Sequence, residues 1–474
     1  MDKNHNRTAS RDDMDRLLTC SVVNDTPGQE NTAHLDDLHL AAQYGYDEDV
    51  RRLLEQGADV NARAPPPGNF TALHLAAKNG HRDTVVFLLE NGADVNAGLV
   101  DQRYTPLHLA AKNGHTGVVA ILLDNGADIN SHTKNNKVTP LHLAAQNGHE
   151  HVVDILINKD ADIDALSRDN YTPLHLAAQH GHQLVAGLLV DKGADINAVA
   201  YLRFCWGSYN PGTESCTPLL LAAMHGHEGV INILIDKGAD INSLQGCRYT
   251  PLHVAAMHGQ DRLVNILLDK GAHMNSRDEC LRYTALHHAA EQGHDSVVKL
   301  LLDRDADRNL EAQPDTRTPL VLAAENGHES VVSILLDKGG DINMRYGFEQ
   351  TTLLHVAAQN NRESVVRALL SQGADINALN QYAGTPLHDA VQHPAIVRVL
   401  IDNGANVNVR DKSQKTSLHY AAERDRAEII RILVDKGADV NARDERAQTP
   451  LFYAKQWGHR HIIWRLIDHG AEPN

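Results

Sequence analysis

Aromatic residues are scarce: five Phe, three Trp and twelve Tyr make up 4% of 474 residues. A core built on large rings is therefore excluded, and with hydrophobic residues at 42% the burial must come from Leu, Ile, Val and Ala. Cysteine is equally sparse. Cys20, Cys205, Cys216, Cys247 and Cys280 are too few and too scattered for a disulfide framework, which points to a reducing compartment. No run of basic residues occurs, and 44 Lys plus Arg against 61 Asp plus Glu leave a net charge of -17. That balance excludes a nucleic-acid surface or an anionic membrane as the partner. It reads as solubility for an elongated body, or as an acidic face for a basic partner. No uninterrupted apolar stretch approaches the roughly 20 residues that span a bilayer, and Met1 to Asp13 lacks the apolar segment of a secretory signal. Phosphate-cradling glycine loops, Gly-x-Ser-x-Gly and His-Glu-x-x-His are absent too.

What is present is repetition. Aligned on Thr-Pro-Leu-His, the chain shows repeat starts at Thr71, Thr105, Thr139, Thr172, Thr217, Thr250, Thr284, Thr318, Thr352, Thr385, Thr416 and Thr449, with a degenerate copy at Asp36. Most steps are 33 or 34 residues, giving thirteen repeats over 35–474. Residues 1–34 match no repeat, and their polar content predicts a disordered leader. A single repeat cannot bury its own apolar face, so the copies must stack and share one core. No segment is left over to house a catalytic site, so neither an enzyme nor a cofactor is expected.

Each motif residue has a structural task. Thr105 caps a helix and Pro106 starts it without losing a bond. Leu107, Ala110 and Ala111 recur at helical spacing, the alanines small enough for close approach. Gly114 ends the helix in a conformation cheap only for glycine. Val118, Val119, Leu122 and Leu123 form the apolar stripe of a second helix, which Gly126 ends, and Asp128 and Asn130 open a hairpin-like finger toward the next Thr-Pro.

Thr-Pro-Leu-His, Leu-Ala-Ala, Asn-Gly-His and Gly-Ala-Asp-Ile-Asn at this period resemble the ankyrin repeat, over more than nine tenths of the chain. The resemblance implies an all-α solenoid of stacked antiparallel helix pairs with hairpin-like fingers, and a concave face formed by inner helices and fingers. Departures matter as well. The family's glycine two residues before the Thr is replaced by Asn69, Arg103, Lys137, Asn170, Arg248 and Arg282, which makes the finger tips the less predictable part. Asp160 and Asp305 replace the glycine after the second helix, where weaker stops are expected. The repeat at Thr385 is two residues short with His393-Pro394 in place of Gly-His, so its helices must connect differently and change the local curvature. Asp36-Asp37 at one end, and Lys455 beside Trp457 at the other, suggest capping repeats with a more polar outer side.

Histidine is abundant at 30, but ten lie at the fourth motif position and eight follow the inter-helix glycine. Such a ladder is what a repeated backbone hydrogen bond requires, so a metal site is not expected. Of the cysteines, only Cys205 and Cys216, within one loop, could meet, since stacked helices lie about 8–10 Å apart.

The step from Thr172 to Thr217 is 45 residues and carries an insertion at 198–216 with Tyr201, Phe204, Trp206 and Tyr209. Exposed loop aromatics dominate many protein interfaces, although the loop could equally fold back over its own repeats. Nearby, Arg248, Tyr249, Arg282 and Tyr283 on fingers, and Met224, His225, Met257 and His258 at groove-facing positions, complete a predicted partner-binding patch. Its alternative is ordinary variation, since Tyr before the Thr also packs internally.

These features predict a monomeric, non-catalytic scaffold or adaptor binding a protein partner, without nucleic acid or membrane insertion. It would act in the cytosol or nucleus, or in the host cytosol for an effector of an intracellular bacterium. The alternative is the regulatory portion of a larger enzyme or signalling protein. The family resemblance further implies asparagine hydroxylation within Leu-x5-Asp-Val-Asn, at Asn61, Asn96 and Asn441.

Overall fold

The computed structural model describes residues 37–65, 68–99, 103–202, 214–244, 248–314 and 316–472. The leader 1–34 and Cys20, Phe204, Cys205, Trp206, Tyr209 and Cys247 lie outside the described residues. Among the described residues there are twenty-six helices and one two-stranded sheet, so the architecture is the all-α solenoid of helix pairs. The chain divides into two compact parts, Met1–Pro251 and Leu252–Asn474.

Local chemistry sets the helix starts. In the repeat at Thr105, the helix Pro106–Lys112 begins with Thr105 in extended conformation, its hydroxyl accepting from the His108 amide while the His108 side chain returns to the Thr105 amide. This capping box satisfies two donors that a helix start would otherwise leave orphaned. It recurs at Thr71, Thr139 and Thr172 in the first part, and at Thr284, Thr352, Thr385 and Thr416 in the second.

Packing follows from the motif. In the first part, each first helix lies on the first helix of the next repeat and each second helix on the next second helix. Leu107, Ala110, Ala111, Val119 and Leu122 have no exposed surface, and the corresponding residues of other repeats are buried alike. Burying a Val or Leu side chain contributes about 1.5–3 kcal/mol, which one repeat can gain only with neighbours on both sides. The second part repeats this arrangement from the helix Ala285–Gln292 onward.

The departures from the motif resolve individually. Asn69, Arg103, Lys137, Asn170 and Arg282 stand at φ between 48 and 60°, so the finger keeps its left-handed residue although the glycine is gone. Each such residue carries local strain that the bonds of its own finger must offset, as Arg103 N–H to Leu99 O and Lys137 N–H to Thr133 O do. Asp160 and Asp305 likewise adopt φ of 66 and 65° and donate to Ile157 and Leu302, much as Gly126 does to Leu123. The stop is retained and only its local cost differs. Asp160→Gly and Asp305→Gly should each stabilise their part by about 0.5–1 kcal/mol, read as a higher urea midpoint at unchanged m value. A lower midpoint would mean that the aspartates contribute something beyond the turn.

The short repeat does connect differently: its first helix is cut to Pro386–Asp389, and the second, Pro394–Asp402, takes proline as its first residue. The C-terminal repeat departs from expectation. Lys455 is exposed as a polar cap requires, but Phe452, Trp457, Trp464 and Ile467 are 37, 59, 75 and 41% exposed, so that side is partly apolar.

Candidate functional site

Two histidine ladders hold successive repeats together. At the fourth motif position, the Nε2–H of His74, His108, His142 and His175 donates at 2.9–3.2 Å to the carbonyl preceding the next repeat's Thr, those of Tyr104, Val138, Tyr171 and Cys216. His287 and His355 do the same to Arg317 and Gly384 at 3.2 and 3.1 Å. With Nε2 donating, Nδ1 is left to accept from the Thr amide and hydroxyl, at 3.2 and 2.8 Å for His108. The ring is thereby fixed as the neutral Nε2–H tautomer. Burial above all lowers the pKa of His74, His108, His142, His175, His253, His287 and His355 to about 4.

The second ladder runs backward. His115, His149 and His182 each donate at 2.8 Å to the carbonyl of Lys78, Lys112 and Gln146 in the preceding repeat. Each ring lies over the inter-helix glycine of that preceding repeat, where a Cβ on Gly80, Gly114 or Gly148 would fall 2.5–2.6 Å from Nδ1. Glycine is therefore required twice there, for its positive φ and for the ring above it. Arg362 fills this role once, donating from Nε to Glu325 O at 2.8 Å. The ladder histidines are accordingly structural, and among the described residues no group of three or more His, Cys, Asp or Glu is placed to hold a metal.

The fingers are tied in the same manner. Asn61 donates from Nδ2 to Gly92 O at 3.1 Å and accepts from the Asp94 amide at 2.8 Å; Asn96 and Asn441 bridge to the following repeat equivalently. Asn61 and Asn96 are exposed and Asn441 is half-buried. Adjacent finger tips also join directly, through Gln313 N–H to Leu281 O, Gln381 N–H to Glu349 O and Lys412 N–H to Tyr382 O at 2.8–3.0 Å.

Against this frame the predicted patch separates. In the first part, Tyr201 is 49% exposed on β1 (Ala200–Leu202), which pairs antiparallel with β2 (Glu214–Cys216). Met224, His225, Arg248 and Tyr249 are half-buried in this part, and Met257 and His258 are half-buried in the second. Arg282 is exposed. Tyr283 is a correction: it is buried, with its ring 5.2 Å from His287 and 5.3 Å from His288, and so belongs to the core. Cys216 is buried and Cys280 is exposed.

Several surface-defining residues gave no signal in the motif. At the fifth motif position, where other repeats carry Leu or Val, the second part places His288, Asp389, Tyr420 and Tyr453. Three are matched by a finger carboxylate. His288 Nε2 is 2.9 Å from Asp278 Oδ2, Tyr420 donates to Asp411 at 2.5 Å, and Tyr453 donates to Asp444 at 2.7 Å. The other oxygen of each carboxylate accepts finger amides, such as those of Leu281, Lys415 and Gln448. Burial works to raise the Asp278 carboxyl, but the bond and charge of His288 outweigh it and hold it below the ordinary range. Asp389 has no such match. Desolvation, aided by Glu349 and opposed by Arg424, pushes its pKa up to about 7. The finger tips beside it expose Phe348 (91%), Leu379 (43%) and Tyr382 (53%).

Among the described residues no helix is long and apolar enough to cross a membrane. The family model described as "Ankyrin repeats (3 copies)" matches residues 38–133, 130–200, 201–278, 277–346, 341–411 and 387–474. Among solved structures, the crystal structure of the human ASB11 ankyrin repeat domain is similar at 29% identity, covering 50% of this chain and 99% of that one with a TM-score of 0.43. No curated protein matches the chain.

Proposed function

The chain belongs to the ankyrin-repeat family, and from that premise we propose that it is a non-catalytic scaffold or adaptor that binds a protein partner through its fingers and first helices. Ankyrin repeats are protein-interaction modules, and no catalytic domain is recognised beside them. One observation carries the reading: the residues that recur in most repeats are used to join repeats, whereas the residues left exposed on the fingers differ from one repeat to the next. Interaction surfaces are built this way on solenoids, a uniform frame presenting a variable face.

The aromatic insertion is the first place to test. The full chain and a variant lacking Tyr201 to Thr213 would be compared by pull-down from cells, with circular dichroism to establish that both stay helical. Loss of specific partners from the shortened chain is expected. An unchanged partner list would move recognition to other fingers, and the absence of specific partners for either form would overturn the scaffold reading itself.

A further inference from the structure

In the second part, the surface around the short repeat differs from the rest in what it leaves unanswered. Phe348 is almost wholly exposed at the tip of its finger, and Leu379 and Tyr382 are about half-exposed on the next. The two tips lie side by side, because Gln381 donates to the Glu349 carbonyl at 2.8 Å and Arg345 donates across to the Leu379 carbonyl. Large apolar side chains held on paired, hydrogen-bonded loops are rigid anchors of the kind that dominate interfaces.

The charge beside them is also uncompensated. Asp389 begins the turn out of the helix Pro386–Asp389, at the motif position where His288, Tyr420 and Tyr453 each meet a finger carboxylate. Its own finger offers Asn380 instead, whose Oδ1 already accepts from the Tyr382 and Gly384 amides at 2.9 Å. Among the described residues no hydrogen bond or ion pair reaches the half-buried Asp389 carboxyl. Glu349, exposed on the Phe348 finger, adds a second negative charge within electrostatic range. The cation nearest in effect is Arg424, whose guanidinium sits 5.7 Å from the Tyr420 ring. A half-buried acid without a donor destabilises the fold that carries it, so a donor from outside is the group this surface lacks.

We infer that the finger tips carrying Phe348, Leu379 and Tyr382, together with Asp389 and Glu349, dock a basic segment of a protein partner. Its lysine or arginine meets the two carboxylates, and a neighbouring apolar side chain covers Phe348 and Tyr382. The occupant follows from charge complementarity: the Asp389 and Glu349 carboxyls are acceptors that no hydrogen bond or ion pair among the described residues reaches, and the chain carries a net charge of -17. This inference rests on the scaffold reading and specifies where and what it binds.

The test is a display library of random twelve-residue peptides selected on the full chain, on Asp389→Asn with Glu349→Gln, and on Phe348→Ser with Tyr382→Ser. Circular dichroism would confirm the helical content of each. Peptides selected on the full chain should be enriched in Lys or Arg beside an aromatic or aliphatic residue. Individually synthesised, they should bind either variant on the order of tenfold more weakly. Enriched peptides that bind both variants unchanged would remove this site and leave the scaffold reading standing. A pool enriched in acidic or purely apolar peptides would overturn the charge argument. Failure of every form to enrich any peptide would count against both readings.

Discussion

The protein should unfold steeply in mild acid, losing helical circular dichroism between pH 6.5 and pH 4 while taking up several protons per molecule. Seven of the ten fourth-position histidines, His74, His108, His142, His175, His253, His287 and His355, have an ordinary pKa of 6.5 and are held near 4 when folded. Between those values the unfolded chain binds a proton on each and the folded chain does not, so stability rises with pH through this window. The contribution is fully present above pH 6.5, is lost as pH falls toward 4, and does not change further below it. Each unit of pKa difference is about 1.4 kcal/mol, so each ring carries about 3 kcal/mol. Four such rings fall in the first part and three in the second, which makes the sum comparable with the 5–15 kcal/mol stability of a whole domain. For His108, burial disfavours the charged ring first, the bond to Val138 opposes it, and repulsion from His142 adds to it, while the Thr105 amide already points at Nδ1.

A His108→Leu with His142→Leu variant separates this cause from general acid denaturation. Leu220 and Val321 already stand at this position in two repeats, so the backbone accepts an aliphatic side chain there. At pH 7 the variant should be less stable by roughly 1–3 kcal/mol per site, from the lost bond to the next repeat. Its urea-derived stability should fall less steeply with acid, by about two fewer protons. If the slope between pH 6.5 and 4 matches that of the parent, the ladder is not the acid-sensitive element.

What could be read from the sequence was whatever one repeat determines alone. Thr caps, the Pro start, the Ala pair and the inter-helix glycine act within a turn or two, and each appears where the motif put it. The histidine ladders were legible for the same reason, since identical positions imply identical bonds. Arg103 and Lys137 show where this ends: each holds a left-handed φ without glycine, its amide bonding back within the finger to Leu99 and Thr133, a geometry that the residue type does not report. The partner-facing surface was the least legible. Tyr283 and Tyr382 are both finger tyrosines, yet the first is buried against His287 and the second is half-exposed, because they occupy different places in the finger. Asp278, Asp411 and Asp444 likewise look like ordinary turn residues until the His or Tyr about ten positions later is seen to meet each of them.

Asp389→Asn should make the second part more stable at pH 8, by about 2–4 kcal/mol, a gain that shrinks steadily to nothing near pH 4. The sign is opposite to that of the histidines. The carboxyl ordinarily titrates near 3.8 and is raised to about 7 in the fold, by desolvation first and by Glu349 second, against the pull of Arg424. Between those values the folded chain holds a proton that the unfolded chain releases, so this group's contribution worsens as pH rises from 4 to 7 and stays at its worst above 7. An amide has no charge to desolvate, which removes the cost at high pH and changes little at low pH, where the acid is already neutral. Urea titrations of parent and variant at pH 4.5, 6 and 8, followed by circular dichroism, would give the difference directly. Equal stability at all three would mean that the carboxyl finds a compensating donor, with Arg424 the first to examine by Arg424→Gln. A stabilising substitution at a surface acid is also what a binding position produces, since residues kept for recognition are commonly not those that stability alone would choose. If Asp389→Asn gains stability and loses basic peptides together, one carboxyl accounts for both, and its cost to the free protein is the measure of what a partner's cation can recover.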